Sequence, residues 1–160
     1  MKVSIIDLDN TLVNTEILKR YRDTRNWEKV FDNIKLTTIT EKTNELLKEA
    51  QDGKIIIVTS SPNTYARKVL NYHNISYDNL IGYHDVENRK PSPDAYLLAI
   101  EPYLEIISHI VIYGDEEKDF IAADYLEEIL KDLNKKIEIK KIGCSYYKDN
   151  NLKNVDLIRR

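Results

Sequence analysis

The sequence predicts an α/β fold: a doubly wound parallel sheet with helices on both faces, three layers in all. Three observations carry that reading. Val3, Ile5 and Ile6, then Ile55-Ile56-Ile57-Val58, then Ile110-Val111-Ile112-Tyr113 are short β-branched runs, the composition of strands buried on both faces. Segments of helical period separate them, two opening on Ser-Pro pairs (Ser61-Pro62 and Ser92-Pro93). Strands alternating with helices imply parallel pairing through crossover connections.

In chain order, the first strand ends on Asp7 and Asp9. From Asn14 to Ile34 the chain is polar, with apolar points at Ile17, Leu18, Tyr21, Trp27, Val30, Phe31 and Ile34. That spacing predicts one or two short helices, interrupted around Arg22–Asn26. Thr38-Ile39-Thr40-Glu41 has the form of a capping box and should open a helix through Leu46, Leu47 and Ala50, with Gly53 ending it. The second strand closes on Thr59. Ser61 should cap the next helix, with Pro62 in its first turn, and that helix should run to about Tyr72. Leu80 to Tyr83 is a weaker strand candidate. A helix from Ser92-Pro93 passes Leu97, Leu98 and Ile100, and Pro102 disturbs its continuation. The third strong strand ends at Gly114-Asp115. Phe120, Ala123, Leu126, Leu130 and Leu133 then fall on one helical stripe. Ile137, Ile139 and Ile142 alternate with charged residues, as in an exposed edge strand. The tail beyond Tyr146 is polar and reads as peripheral.

At 160 residues the chain is most simply one domain, with a small helical insert at about 12–36. A formal net charge of −3 gives no general attraction to nucleic acid or anionic membrane. The single cysteine, Cys144, excludes an internal disulfide and a multi-cysteine zinc site. The apolar run after Lys2 is broken by Asp7 and Asp9, so no secretory signal is visible, and no run approaches the roughly 18 residues that span a bilayer. A cytoplasmic location without membrane contact is the expectation.

The chemistry-bearing residues gather at strand ends. Ending a buried strand on two carboxylates is costly unless a cation compensates them, and a hard divalent cation prefers such oxygens. The carboxyl ends of strands in an open α/β sheet are also where ligands bind. Beside Asp7-Leu8-Asp9-Asn10-Thr11 stand Thr59 after the second strand, Lys90-Pro91-Ser92-Pro93-Asp94 in a later loop, and Gly114-Asp115-Glu116-Glu117-Lys118-Asp119 after the third strand. A lone DxD would be weak, but four motifs in order, each after the right element, are specific.

Together these stretches resemble the haloacid dehalogenase-like (HAD) superfamily, through the DxDxT, hydroxyl, lysine and GDxxxD motifs; the lysine motif is similar to that of the phosphoglycolate-phosphatase-like branch. The resemblance implies a Rossmann-like HAD core and Mg2+-dependent hydrolysis of phosphomonoesters through an aspartyl-phosphate. It implies Asp7 as nucleophile, Asp9 as general acid and base, Thr59 as a phosphate donor helped by backbone N–H groups after Asp7, and Lys90 as the neutralising cation. It places Mg2+ among Asp7, the Asp9 carbonyl and Asp115, with Asp119 either near the metal or orienting Lys90. Thr11, Ser60 and Asn10 are assigned to substrate binding. Glu116 departs from the small Ser common there in the family. Blander readings stand beside these: Thr59 and Asp119 as helix caps, His84-Asp85 as a solvated loop, His73 and His109 as structural, Cys144 as packed.

Family members carry substrate-selecting inserts called caps. Here only a small helical flap fits before the second strand, and no large insert fits between Thr59 and Lys90, so the cap is minimal and the site should be open. Small sugar or nucleotide phosphates lead as substrates; a nucleic-acid end or phosphoprotein is the alternative, and an oligomeric neighbour could enclose a small one. Arg20, Tyr21, Arg22, Arg25, Trp27 and Lys29 in the flap read first as a solvated face with packed aromatics and second as a grip on phosphate or base. A phospho-receiver or non-catalytic interaction module is the alternative of another class.

Overall fold

The computed structural model describes residues 1–144 and the backbone of 155–157. Its main sheet joins strands β1 (Lys2–Ile6), β4 (Lys54–Val58), β5 (Asn79–Ile81), β6 (His109–Gly114), β7 (Glu138–Gly143) and β8 (Val155–Leu157). They lie side by side in the order β5-β4-β1-β6-β7-β8, all parallel. Between them stand helices α3 (Thr43–Ala50), α4 (Asn63–Tyr72), α5 (Asp94–Ile100) and α6 (Glu117–Asp132). Strand order grows outward from β1 to β5 on one side, then restarts at β6 on the other. The crevice at the carboxyl ends of β1 and β6 is therefore the topological switch point of the sheet.

Period-two alternation decides which side chain enters which layer. Val3 and Ile5 of β1, with Ile56 and Val58 of β4, join Ala95, Ala99, Ala122 and Leu126 from α5 and α6. Ile6, Ile55 and Ile57 face the other way, onto Leu46, Ala50, Ala66 and Val69 from α3 and α4. The predicted doubly wound three-layer α/β arrangement is what forms. The α6 stripe is buried at Phe120, Ala123, Leu126 and Leu130, but Leu133 lies past the helix end and is exposed.

The flap is built from α1 (Lys19–Asp23) and α2 (Trp27–Asp32), flanked by single 3-10 turns. Arg25 takes a positive φ of 56° between them, which accounts for the break in helical spacing. Its base is a small antiparallel pair, β2 (Val13–Asn14) with β3 (Thr38–Ile39). This pairing displaces the expected capping box. Thr38 is in a strand, and the Thr40 and Thr43 hydroxyls donate to the Thr11 and Leu12 carbonyls at 2.7 and 2.6 Å. The flap is thus tied directly to the loop that carries Asp7 and Asp9.

Other local expectations change for identifiable reasons. Ser61 caps nothing with its side chain: α4 starts at Asn63, and the Ser61 hydroxyl is drawn to Asp9. Gly53 has no left-handed φ; a Cβ there would sit 2.1 Å from the Lys2 carbonyl oxygen, so close approach is what excludes a side chain. β7 is not an edge, because β8 pairs along its carboxyl half. The prediction of a peripheral tail falls, apart from that strand, outside the described residues. No helix among the described residues is long and apolar enough to cross a membrane.

Candidate active site

Three neighbouring strands, β4, β1 and β6, end at the same level, and neighbouring parallel strands lie only about 5 Å apart. Residues immediately beyond their carboxyl ends must therefore meet. Thr59, Asp7 and Asp115 are those residues, and the Asp7 N–H donates to the Tyr113 carbonyl at 3.1 Å to hold the junction. The turn after Asp7 folds on the Leu8 carbonyl, which accepts from the N–H groups of Thr11, Leu12 and Val13. Asn10 adopts the left-handed conformation that an Asn tolerates best among residues with a Cβ.

One oxygen each of Asp7, Asp115 and Asp119 lies within 4.8 Å of the others. Lys90, arriving from the loop before α5, is buried beside them. Its Nζ donates to Asp7 Oδ1 at 3.1 Å, Asp119 Oδ1 at 2.5 Å and the Val58 carbonyl at 3.2 Å. Burial alone would lower the lysine's pKa, but the Asp119 and Asp7 carboxylates overturn that and hold it well above the ordinary value. Asp119 Oδ2 accepts from the N–H groups of Asp115 and Glu116 at 3.2 and 3.1 Å. Asp119 therefore both caps α6 and orients Lys90. It is fully buried, and both its oxygens accept hydrogen bonds while one also belongs to the carboxylate cluster that could hold a metal. The approach is tight: a Cβ on Gly114 would lie 2.4 Å from Asp119 Oδ2.

Asp115 has no such cation. Burial first, and the Asp7 carboxylate second, push its pKa up to about 10. A crowd of hard oxygens that cannot all ionise unaided is the donor set a divalent cation such as Mg2+ fits. Asp7, Asp115 and the Asp9 carbonyl would be its holders. The shift also sets a pH dependence. A carboxyl that binds its proton more tightly folded than unfolded contributes stability in full below its unfolded pKa of 3.8, and that contribution drains away as pH rises toward about 10. Thermal unfolding in EDTA should therefore show Tm declining across that window. Excess Mg2+ should flatten the decline near neutrality, and parallel Tm curves with and without the ion would refute a cation site here.

The remaining candidates divide. Thr59 is buried at the cleft floor and its hydroxyl accepts from the Ser61 N–H at 3.1 Å, leaving its own proton for a ligand. Ser60 lines the cleft, with its Oγ buried and unpartnered. Thr11 is placed elsewhere: it lies beneath the carboxylates, donating toward Asp115 at 3.3 Å or Asp7 at 3.4 Å, and is almost completely buried. Asn10 lines the cleft with its polar groups already engaged within the turn. Its side chain binds Glu16 and the Thr15 N–H, and its own N–H donates to the Val13 carbonyl. The N–H of Thr11 likewise donates to the Leu8 carbonyl.

Asp9 lies at the cleft but is surrounded by Thr15, Arg22, Ser61 and Tyr65. Of these the sequence offered Arg22, as one of several flap residues in the second reading of a grip on phosphate or base, and Ser61 only as a helix cap. Tyr65 falls on the buried stripe of α4. The cleft above them has a volume of about 730 Å3 and is walled by flap residues including Arg22, Arg25 and Trp27. His84 also lines it, so the His84 loop is not merely solvated, whereas Asp85 ties that loop to Asn63. Glu116 pairs with Lys118 at 3.3 Å. His73 bonds Thr37 and Cys144 is buried, both structural.

A family model described as haloacid dehalogenase-like hydrolase matches residues 17–127, which include Thr59, Lys90, Asp115 and Asp119. The chain belongs to that family. Asp7 and Asp9 precede the matched span, and the sheet register brings them to the other motifs. Among curated sequences, this chain is 32% identical over 111 residues to a putative pyrophosphatase, PpaX, of Caldanaerobacter subterraneus subsp. tengcongensis; the match covers 67% of the chain and 49% of that protein. The chain thus spans about half the length of that relative. Solved structures share the fold. A putative beta-phosphoglucomutase from Thermotoga maritima matches with a TM-score of 0.72 at 20% identity, covering 99% of this chain and 94% of that one. A putative phosphoglycolate phosphatase from Lactobacillus plantarum matches at 0.69 and 14%, covering 98% and 93%. CbbY from Rhodobacter sphaeroides, in complex with phosphate, matches at 0.70 and 15%, covering 97% and 92%.

Proposed function

We propose that this hydrolase cleaves phosphomonoesters of small metabolites, a sugar or nucleotide phosphate, through a phosphorylated Asp7, in the cytoplasm. The observation that supports it best is the Lys90 ammonium 3.1 Å from Asp7 Oδ1 and held from behind by Asp119. A cation so placed neutralises the nucleophile without consuming it, and it faces the charge that develops on a transferred phosphoryl group.

In the first step an Asp7 oxygen attacks phosphorus, the bond to the ester oxygen breaks, and that oxygen takes a proton from the Asp9 carboxyl. In the second, a water oxygen attacks the phosphoaspartate while Asp9 takes its proton. The phosphorus–Asp7 bond breaks, releasing inorganic phosphate and restoring both carboxyl groups. Thr59 and Ser60 donate to phosphoryl oxygens at the cleft floor. A bound Mg2+ would supply positive charge to the phosphoryl oxygens and relieve the crowding of Asp7 and Asp115.

Relatives named as a pyrophosphatase and a phosphoglycolate phosphatase support the reaction class, and the flap-walled cleft favours a small substrate over a polymer end. The test is phosphate release from a panel of sugar phosphates, nucleotides, phosphopeptides and phosphorylated oligonucleotides, with Mg2+ and with EDTA. Turnover of small esters that EDTA stops is the expected result. Release from oligonucleotides or phosphopeptides alone would transfer the proposal to those substrates, and no release from any would end it.

A further inference from the structure

Away from the catalytic cleft, α5 and the carboxyl end of α6 leave an apolar groove of about 450 Å3 between them, and the two share no lining residue. Its floor is Leu97, Leu98, Leu104, Leu130 and Leu133. Leu130 is buried, but Leu133, the last residue of the α6 stripe, is 54% exposed. That leucine carries the apolar stripe past the helix end and onto the groove instead of into the core. A contiguous apolar strip left open to water in this way marks a contact surface.

The rim carries one sign of charge. Asp85, Glu87, Asp94 and Glu101 border the leucines, and among the described residues no Lys or Arg lines the groove. Asp85 accepts from the Asn63 side chain and the Gly82 N–H, and Asp94 from the Asn88 side chain; all three donors are neutral, so the charge stays. Cations close by in the chain are committed elsewhere. Arg89 lies over the Tyr83 ring and donates to the Tyr83 carbonyl, Lys131 pairs with Glu127, and Lys135 pairs with Glu105. Along α5 and its end, Asp94, Leu97, Leu98 and Glu101 fall at i, i+3, i+4 and i+7, which is one face with an acid at each end. Those two acids stand two turns, about 10 Å, apart.

We propose that this groove docks a basic amphipathic helix of a partner protein, with apolar side chains on the leucine floor and Lys or Arg on the flanks facing the acidic rim. The charge pattern selects that occupant. A second copy of the chain related by a two-fold axis would set each acidic rim against its counterpart, and a head-to-tail copy would leave a groove open at the end of every assembly. An anionic membrane would meet the same repulsion. A free lipophilic amine would reach one end of α5 only, whereas a helix can place cations two turns apart on both. Docking there does not depend on the chain's being a phosphomonoesterase.

Fluorescence anisotropy tests this with the full chain and a labelled helical peptide of about 14 residues, Leu on one face and Lys on both flanks. Saturable one-to-one binding that weakens with added salt is expected. Leu133→Lys and Glu101→Lys, both at exposed positions, should each raise Kd by about tenfold or more and leave Tm at the parent value. Replacing Lys by Glu in the peptide should abolish binding, and replacing Leu by Ala should weaken it severely. Equal binding by the parent and both variants would put the peptide elsewhere, such as the acidic catalytic cleft, and would overturn the proposal. So would equal binding of the Glu peptide, or no binding at all. Sedimentation of the unliganded chain guards against self-association: a monomer supports a separate partner, and a parent dimer that Leu133→Lys converts to monomer would assign the groove to a second copy and overturn the partner-protein reading.

Discussion

Asp7→Asn is expected to lower Mg2+-dependent phosphate release by about 10,000-fold or more, the scale lost when a covalent nucleophile is removed. The amide is nearly isosteric and keeps an oxygen for Lys90, which donates to Asp7 Oδ1 at 3.1 Å, so the geometry around it should survive. What disappears is the anion that attacks phosphorus. The same change should leave the metal-free protein at least as resistant to heat as the parent. It removes the carboxylate that, after burial, does most to raise the Asp115 pKa. Activity loss with Tm held or raised separates a chemical role from a structural one. Retention of a tenth of the parent rate would rule Asp7 out as the nucleophile.

Lys90→Met should be the most destabilising single change at the site. The lysine side chain is about 1% exposed, and the Asp119 side chain bonded to it at 2.5 Å is 0% exposed. Truncating the cation leaves Asp119 buried without compensation, a situation that costs about 3–5 kcal/mol. The unfolding free energy from urea titration should fall by that order, and phosphate release should be lost with it. Lys90→Met combined with Asp119→Asn should recover much of the stability and none of the activity, because the second change removes the stranded charge without replacing the cation at Asp7. If the single variant unfolds within about 1 kcal/mol of the parent, a surface-like ion pair is the better description.

Legibility in the sequence followed the range of the interaction. Strands built from Ile and Val runs, such as Ile55 to Val58, declare themselves because burial on both faces dictates their composition locally. So does the stripe on α6. The capping box at Thr38 misled because its signal is equally local, but a partner strand 25 residues earlier in the chain, Val13–Asn14, competed for the same backbone. Ser61 misled in the same way: a helix cap was its nearest use, and Asp9, distant in sequence, was the stronger claim. Asn10 and Thr11 sit in the right motif, yet their polar atoms are consumed by the turn and by the neighbouring carboxylates.

By itself the sequence determined the layer architecture, the order of the chemical motifs and the residues of the acidic cluster with its lysine. Each of these rests on residue type and spacing within a few positions, or on strands that can end only at one edge of a parallel sheet. Tertiary structure alone decided the state of Asp9, the burial that leaves Asp115 in need of a cation, and the arrival of Arg22 from the flap. Those depend on which groups meet across the fold and on how much water remains between them. No window of sequence contains that distance, because the chain closes it only when the flap, α4 and the strand ends pack together.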